Sequence, residues 1–237
     1  QTTIPQLGFQ SYNQLAWFSG EKDAPSATLD SQIATTDNNW SLSFWLYYMN
    51  IGNSLSFIIG GTANKNLVIA DTNHVLKYRD GSDGYHILSA NDIIKDGEWN
   101  HIVIAATADT SITAYINGVA QTTNSDMSDT EIKIDKFMEG YLNNNLYAAA
   151  GSMTEISYYN DILTQAEAID LYNDGEAKSA LEASGNGGLV GYWRNNGLSE
   201  WEDLKGTNDA NTEDGGVDGV TEHLILPEGQ NNRDTQG

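Results

Sequence analysis

Short runs of alternating apolar and polar residues recur along the chain, the pattern of β-strands that bury one face. In the clearest run, residues 40–47, Leu42, Phe44 and Leu46 share one face and two serines lie on the other. Asn117-Gly118 supplies the two residues of a tight hairpin. Further strands are predicted at 15–18, 54–59, 66–70, 75–78, 99–105, 111–116, 119–122, around 132–134, at 151–159 and at 189–193. Many short strands separated by turn residues predict an all-β, antiparallel β-sandwich.

One short helix is predicted near residues 164–174. Thr164 and Glu167 have the spacing of a capping box, in which each side chain bonds to the other residue's backbone N–H. Gly175 stands where a left-handed residue ends a helix. The residues expected to share one helix face are Ala166, Ile169 and Tyr172. Residues 176–184 are predicted as a second short helix.

The two ends of the chain differ from its middle. Residues 1–14 are polar and irregular, and from residue 205 onward Gly, Asn, Asp and Thr dominate. We therefore predict a sandwich at 15–204 between an N-terminal arm at 1–14 and a C-terminal arm at 205–237. The second arm is too polar to form a core of its own. Its apolar run Leu224, Ile225 and Leu226 is expected to anchor it on a partner's sheet edge or groove.

Charge and composition exclude several classes of protein. The chain carries 33 acidic and 11 basic residues, a formal net charge of −22, which repels phosphate backbones and anionic membranes. We therefore expect neither nucleic acid nor membrane as a partner. The absence of cysteine rules out disulfides, thiol nucleophiles and Cys-ligated metals. No apolar run reaches the roughly 18 residues that a membrane span requires.

Several segments, in chain order, match the pattern of one known fold family. They are residues 44–46, 96–103, 115–119, 151–160, 161–175 and 189–194. Together they resemble the strands, the hairpin and the helix of laminin G-like jelly rolls of the concanavalin A-like kind. The resemblance implies a two-sheet jelly roll over about residues 15–194.

The same resemblance implies a calcium site in some members, held by loop aspartates. The loop that begins at Asp80 and contains Asp83 has oxygen ligands of the type that Ca²⁺ prefers, and Asp23 aligns with a further family aspartate. Thr154 and Ser19, however, stand where the family has aspartate. The favoured interpretation is that Asp80 and Asp83 are ordinary turn residues. Calcium therefore remains a possible cofactor, and no other cofactor is predicted.

No catalytic site is predicted. Related glucanases use an E-x-D-x-x-E strand, and the nearest string, residues 21–26, lacks the last glutamate. The four histidines lie in separate elements, and His101 is expected to be packed. Three tryptophans within strands are interpreted as core residues, namely Trp45, Trp99 and Trp193. Three other aromatic residues lie nearer loops and could stack on sugars, although scattered surface aromatics are normal; they are Tyr85, Tyr141 and Trp201.

The C-terminal sequence favours a role in assembly. Residues 226–229 and 233–237 are similar to the ends of laminin G-like virion proteins of marine tailed phages. This similarity implies a structural or adhesive component of the virion surface that assembles through its arms. Its partners would be other virion proteins or copies of itself, with host-surface glycans as a further contact. The alternative is a carbohydrate-binding module of a secreted, extracellular bacterial protein, and fold alone does not decide between the two.

Overall fold

The computed structural model has the predicted architecture, two antiparallel sheets packed face to face with one short α-helix. The structure describes residues 15–20, 26–35, 38–52, 54–60, 65–70, 72–80, 84–121, 124–125, 127, 129–138, 147–197 and 199–212. The predicted fold class is therefore confirmed.

The described part of the chain contains sixteen strands and one α-helix. In chain order they are β1 (Phe18–Ser19), β2 (Ala27–Ala34), β3 (Trp40–Met49), β4 (Ser56–Gly60), β5 (Asn66–Ala70), β6 (Val75–Arg79), β7 (Tyr85–Ile87), β8 (Trp99–Thr107), β9 (Ser111–Ile116), β10 (Val119–Ala120), β11 (Asn124–Ser125), β12 (Lys133–Phe137), β13 (Ala150–Tyr159), α1 (Gln165–Tyr172), β14 (Leu189–Trp193), β15 (Glu200–Trp201) and β16 (Ala210–Asn211).

Each sheet contains eight strands. Sheet I has the order β1-β13-β3-β8-β9-β10, with β14 beside β13 and β11 beside β9. Sheet II has the order β15-β16-β2-β12-β4-β5-β6-β7. Neighbours in both orders pair antiparallel, and many are distant in sequence, as in a jelly roll.

The two inner faces enclose one continuous hydrophobic core. Alternate residues of β3 and β8, such as Phe44 and Ile104, are fully buried against side chains of sheet II. Each such side chain contributes roughly 1.5–3 kcal/mol relative to remaining in water. Trp193 is part of this core, as predicted, and so is Trp201, which the sequence placed nearer a loop.

Helix α1 begins with the predicted capping box. The hydroxyl of Thr164 accepts a hydrogen bond from the Glu167 backbone N–H, and the Glu167 carboxylate accepts one from the Thr164 backbone N–H at 2.7 Å. The predicted buried face was wrong by one position, because Ala168 and Leu171 face sheet I while Ile169 is 49% exposed.

The predicted second helix at 176–184 is absent, since this segment consists of turns. The Asp170 carboxylate accepts hydrogen bonds from the Lys178 ammonium at 2.6 Å and from the Ser184 backbone N–H at 2.7 Å. These bonds hold the segment across the outer face of sheet I, where it buries three alanines. The alanines are Ala177, Ala180 and Ala183.

The sandwich extends beyond the predicted boundary at residue 204, because β16 pairs with β2 in sheet II. Asp203 is the physical reason for this extension. Its carboxylate accepts bonds from the backbone N–H groups of Tyr192, Lys205, Gly206 and Asn208, which turns the chain back toward the sheet. The predicted N-terminal arm and residues 213–237 lie outside the described residues.

Candidate functional site

Within the described residues, the outer face of sheet I has a half that other elements cover and a half that they leave open. Helix α1 and residues 173–188, here called the cover, lie over the covered half. Their buried side chains form a second hydrophobic cluster with residues of the sheet. The cluster combines sheet residues such as Val103 and Tyr192 with Leu163 and with Leu171 from the cover. Any ligand site on this face must therefore lie beyond the cover or between the cover and the sheet.

The covered half contains a buried ion pair. Glu155 has a left-handed backbone conformation, with φ of 51°, within an irregular stretch of β13. Its carboxylate lies 3.0 Å from the Arg194 guanidinium and accepts a hydrogen bond from the Tyr192 hydroxyl. Burial and the Glu155 charge raise the pKa of Tyr192. Since Glu155 is only 4% exposed, this group stabilises the cover and offers no open catalytic site.

His101 lies at the margin of the cover and is packed, as predicted. The ring is 1% exposed, and its Nε2 lies 2.9 Å from the Ser43 hydroxyl. The Trp45 ring is 5.1 Å away and the Tyr172 ring 6.1 Å away, between centroids. Burial lowers the pKa of His101 to about 3, so the ring is neutral at physiological pH. Trp45 is buried beside it, also as predicted.

Three partly exposed aromatic rings, here called the aromatic row, cross the open half of the same face. Their ring centroids are 5.6 Å apart between Trp17 and Tyr47, and 5.6 Å apart between Tyr47 and Trp99. Strand register brings them together, since Ser152 of β13 pairs with Tyr47, and Tyr47 pairs with Trp99. The Ser152 hydroxyl donates a hydrogen bond to the Ala16 carbonyl oxygen, which holds the residues before β1 against β13.

A glycine holds β13 close to β3 beside this row. Gly151 has a φ of 129°, and a Cβ atom there would lie 1.8 Å from the Tyr47 carbonyl oxygen. Any other residue would push the two strands apart. Gly151 therefore fixes the position of Tyr47, the central ring of the aromatic row.

Trp99 was predicted to belong to the core, but it is only partly buried, packed against a small buried cluster of Trp45 and Ala177. Trp99 is the first residue of β8 and lies before the stretch that pairs with β9, which begins at Ile102. Within the described part of the chain its buried indole N–H has no hydrogen-bond acceptor. Met49 and Ile51, which are 36% and 43% exposed, continue the apolar surface beside the row.

The aromatic row has the chemistry of a sugar-binding surface. One face of a pyranose ring presents C–H bonds, which pack favourably on aromatic rings, while its hydroxyl groups need hydrogen-bond partners. The exposed carboxylates of Asp96 and Glu98 can accept hydrogen bonds from such hydroxyl groups. The row therefore combines stacking surface with polar groups at its edge.

The structure leaves the calcium prediction untested. The two oxygens of Asp80 are engaged by the Gly84 backbone N–H at 2.8 Å and by His86 Nε2 at 2.9 Å. Asp23 and Asp83 lie outside the described residues. In the part of the chain that is described, no cluster of three His, Asp or Glu residues suited to a metal occurs.

The other predicted site residues divide into three groups. Tyr85 is 40% exposed on β7, as its assignment near a loop predicted, and Trp201 is buried in the core. Tyr141 and the predicted assembly anchors Leu224, Ile225 and Leu226 lie outside the described residues. No helix in the described ranges is long and apolar enough to span a membrane.

The fold is that of lectin-like jelly rolls, two antiparallel sheets with a helix packed on one of them. A family model of the concanavalin A-like lectin/glucanases superfamily, of the laminin G-like kind, matches residues 20–169. The chain belongs to this laminin G-like family, which confirms the predicted resemblance.

Solved structures show the same fold at low sequence identity. A candidate carbohydrate binding protein from Bacteroides ovatus aligns with a TM-score of 0.61 and 14% identity over 86% of this chain. The chain spans 59% of the length of that protein. The receptor binding domain of botulinum neurotoxin D aligns with a TM-score of 0.50 and 19% identity, over 74% of this chain and 46% of that one. No curated protein sequence matches the chain.

Proposed function

We propose that this domain is a carbohydrate-binding module that holds a glycan on the aromatic row. The observation that carries the proposal is the set of three partly exposed rings, Trp17, Tyr47 and Trp99, in contact across neighbouring strands. Scattered surface aromatics are common, whereas three partly exposed rings in contact form a contiguous apolar surface of the kind that marks a binding site. Membership of a lectin-like family supports the same function.

The module binds without cleaving its ligand. A retaining glycosidase requires two carboxylates roughly 5 Å apart on either side of the scissile bond. Glu155 has a buried carboxylate, but that carboxylate is paired with Arg194 and is not open to a ligand. The exposed Asp96 is engaged in the fold, because it accepts a hydrogen bond from the Asn50 backbone N–H at 2.7 Å. We therefore expect sugars to be recovered intact after incubation with the protein.

Replacing Trp99 with alanine is expected to weaken glycan binding by roughly 5- to 30-fold, since loss of one stacking ring costs about 1–2 kcal/mol. The measurement is a glycan array followed by calorimetry on the best ligand. The control is Ile87→Ala, which removes an exposed apolar side chain from the other sheet. Equal losses in both variants, or none in Trp99→Ala, would contradict a site on the aromatic row.

The more specific role is a structural or adhesive component of a phage virion surface. What supports it is the sequence of the C-terminal segment, with its apolar run Leu224, Ile225 and Leu226. In this role the aromatic row contacts host glycans while residues 213–237 bind another virion protein or another copy of the domain. The alternative is a module of a secreted bacterial protein, in which binding to glycans is the whole function.

Removal of residues 213–237 is expected to leave the sandwich folded and to reduce assembly. The cut falls after β16, which is part of sheet II and must be retained. Ile225→Asp should have the same effect on assembly, because it places a charge within the apolar run. The readouts are thermal unfolding and incorporation into particles or oligomers. Normal assembly by both variants would remove the support for the virion role and leave the module of a secreted protein.

A further inference from the structure

The aromatic row has an acidic border. Glu98 directly precedes Trp99, Asp96 lies two residues before Glu98, and both carboxylate side chains are exposed. The turn that carries them lies against the row, because a Cβ atom on Gly97 would be 3.9 Å from the Tyr47 hydroxyl. Two carboxylates therefore flank the part of the row that Tyr47 and Trp99 form.

The cover contributes a third carboxylate to this border. Ala177 is buried against Trp45, and Trp99 packs on the same small cluster. Glu176, the residue before Ala177, is exposed, and its backbone N–H donates a hydrogen bond to the Asn173 carbonyl oxygen at 3.0 Å. Through the packing of Ala177, the chain brings the exposed Glu176 to the Trp99 end of the row.

The basic side chains closest in sequence to these carboxylates are engaged elsewhere. Lys95 Nζ donates a hydrogen bond to the Asp92 carbonyl oxygen at 2.8 Å, and Lys178 Nζ donates one to the Asp170 carboxylate at 2.6 Å. Even with Lys95 counted, the three carboxylates leave the border negative, in a chain whose formal net charge is −22. Anionic groups are repelled from such a surface and cations are attracted to it.

The rings of the row suit a cation as well as the apolar face of a sugar. Their planes differ by 54° between Trp17 and Tyr47 and by 67° between Tyr47 and Trp99, so the rings do not form one flat platform. An ammonium group is attracted to the negative face of an aromatic ring, most strongly to that of tryptophan. Tilted neighbouring rings can offer a compact cation more than one face, and nearby carboxylates add charge-assisted hydrogen bonds.

We propose that the preferred ligand of the aromatic row is a glycan with free amino groups, such as a chain of glucosamine units. The C–H face of the sugar packs on the rings, and its ammonium group lies between the rings and the carboxylates of Glu98 and Glu176. The same carboxylates, together with the net charge of the chain, disfavour sulfated sugars and uronic acids. This specificity rests on the proposed function, because the amino sugar occupies the same rings.

The test compares three tetrasaccharides by calorimetry at about pH 5.5, where sugar amines are protonated and carboxylates are ionised. They are the tetramer of glucosamine, its neutral N-acetylated form, and anionic tetragalacturonate. We expect the glucosamine tetramer to bind about fivefold or more tightly than its N-acetylated form, the gain that ion pairs at an exposed site supply. This advantage should shrink as salt is added, and tetragalacturonate should bind most weakly.

The variant Glu98→Gln with Glu176→Gln should remove most of this preference. Its affinity for the glucosamine tetramer should fall about fivefold, whereas its affinity for the N-acetylated tetramer should not change, because the rings remain. The control Asp30→Asn with Glu200→Gln removes the same charge from two exposed positions of sheet II and should keep the preference. All four side chains are exposed, so both variants should fold.

Three results would contradict the preference for amino sugars. They are equal affinities for the glucosamine and N-acetylated tetramers, equal losses of glucosamine affinity in the two double variants, and tightest binding of tetragalacturonate. In each case the proposed function still stands if a glycan binds and Trp99→Ala weakens that binding. Failure of the intact protein to bind any glycan would overturn the proposed function itself.

Discussion

Replacing Glu155 with alanine is expected to lower the free energy of unfolding by about 3–5 kcal/mol, the largest effect of any single substitution considered for this protein. The change leaves the Arg194 guanidinium, whose side chain is 14% exposed, without the Glu155 carboxylate, which lies 3.0 Å away in the intact domain. It also removes the acceptor for the Tyr192 hydroxyl. Chemical denaturation at neutral pH measures the loss.

A second substitution separates the cost of the unpaired charge from that of the missing side chain. In Glu155→Ala with Arg194→Met no charge remains buried, so stability should recover most of the loss. The partly exposed pair between Lys178 and Asp170 provides the control, because Lys178→Gln should cost about 1 kcal/mol or less. A double variant as unstable as Glu155→Ala would show that packing of the side chain, and not its charge, stabilises the cover.

Local sequence patterns were sufficient to predict those structural elements whose conformation depends on neighbouring residues. The Asn117-Gly118 hairpin has the two positive φ values that its sequence predicts, 50° and 75°. The capping box at Thr164 is also a local signal, and it places the start of α1 correctly. In both cases the backbone conformation depends on short-range hydrogen bonds that a few residues determine.

Strands without a local signal were missed. Strand β2 has exposed polar residues at Asp30, Ser31 and Gln32, which interrupt any apolar alternation, and only its pairing with β12 and β16 places it in sheet II. The strands β15 and β16 have two residues each and depend on the turn formed around Asp203. Such strands are stabilised by pairing with strands that are distant in the sequence, so a short stretch of sequence does not predict them.

The aromatic row was beyond sequence reasoning, because Trp17, Tyr47 and Trp99 are brought together by the register of four strands. The sequence interpretation therefore placed Trp99 in the core and did not group it with the other two rings.

The pH dependence of stability should identify His101 as an acid-sensitive group. Its pKa in the folded protein is about 3, because burial disfavours the charged ring, whereas an unfolded histidine titrates near 6.5. The stability that the neutral ring contributes is complete above about pH 6.5 and is lost as the pH falls toward 3. At roughly pH 4 the loss should reach about 3 kcal/mol, measured by denaturation between neutral pH and that value.

The variant His101→Phe should remove most of this slope, because a phenyl ring keeps the contacts with Trp45 and Tyr172 and cannot be protonated. It leaves the Ser43 hydroxyl without its partner, which costs about 1 kcal/mol at every pH. Tyr172→Leu is the control, since it removes a stacked ring and retains His101, so its pH slope should equal that of the unmodified protein. The same slope in His101→Phe would mean that carboxylates, which titrate at lower pH, cause the acid sensitivity and that His101 does not.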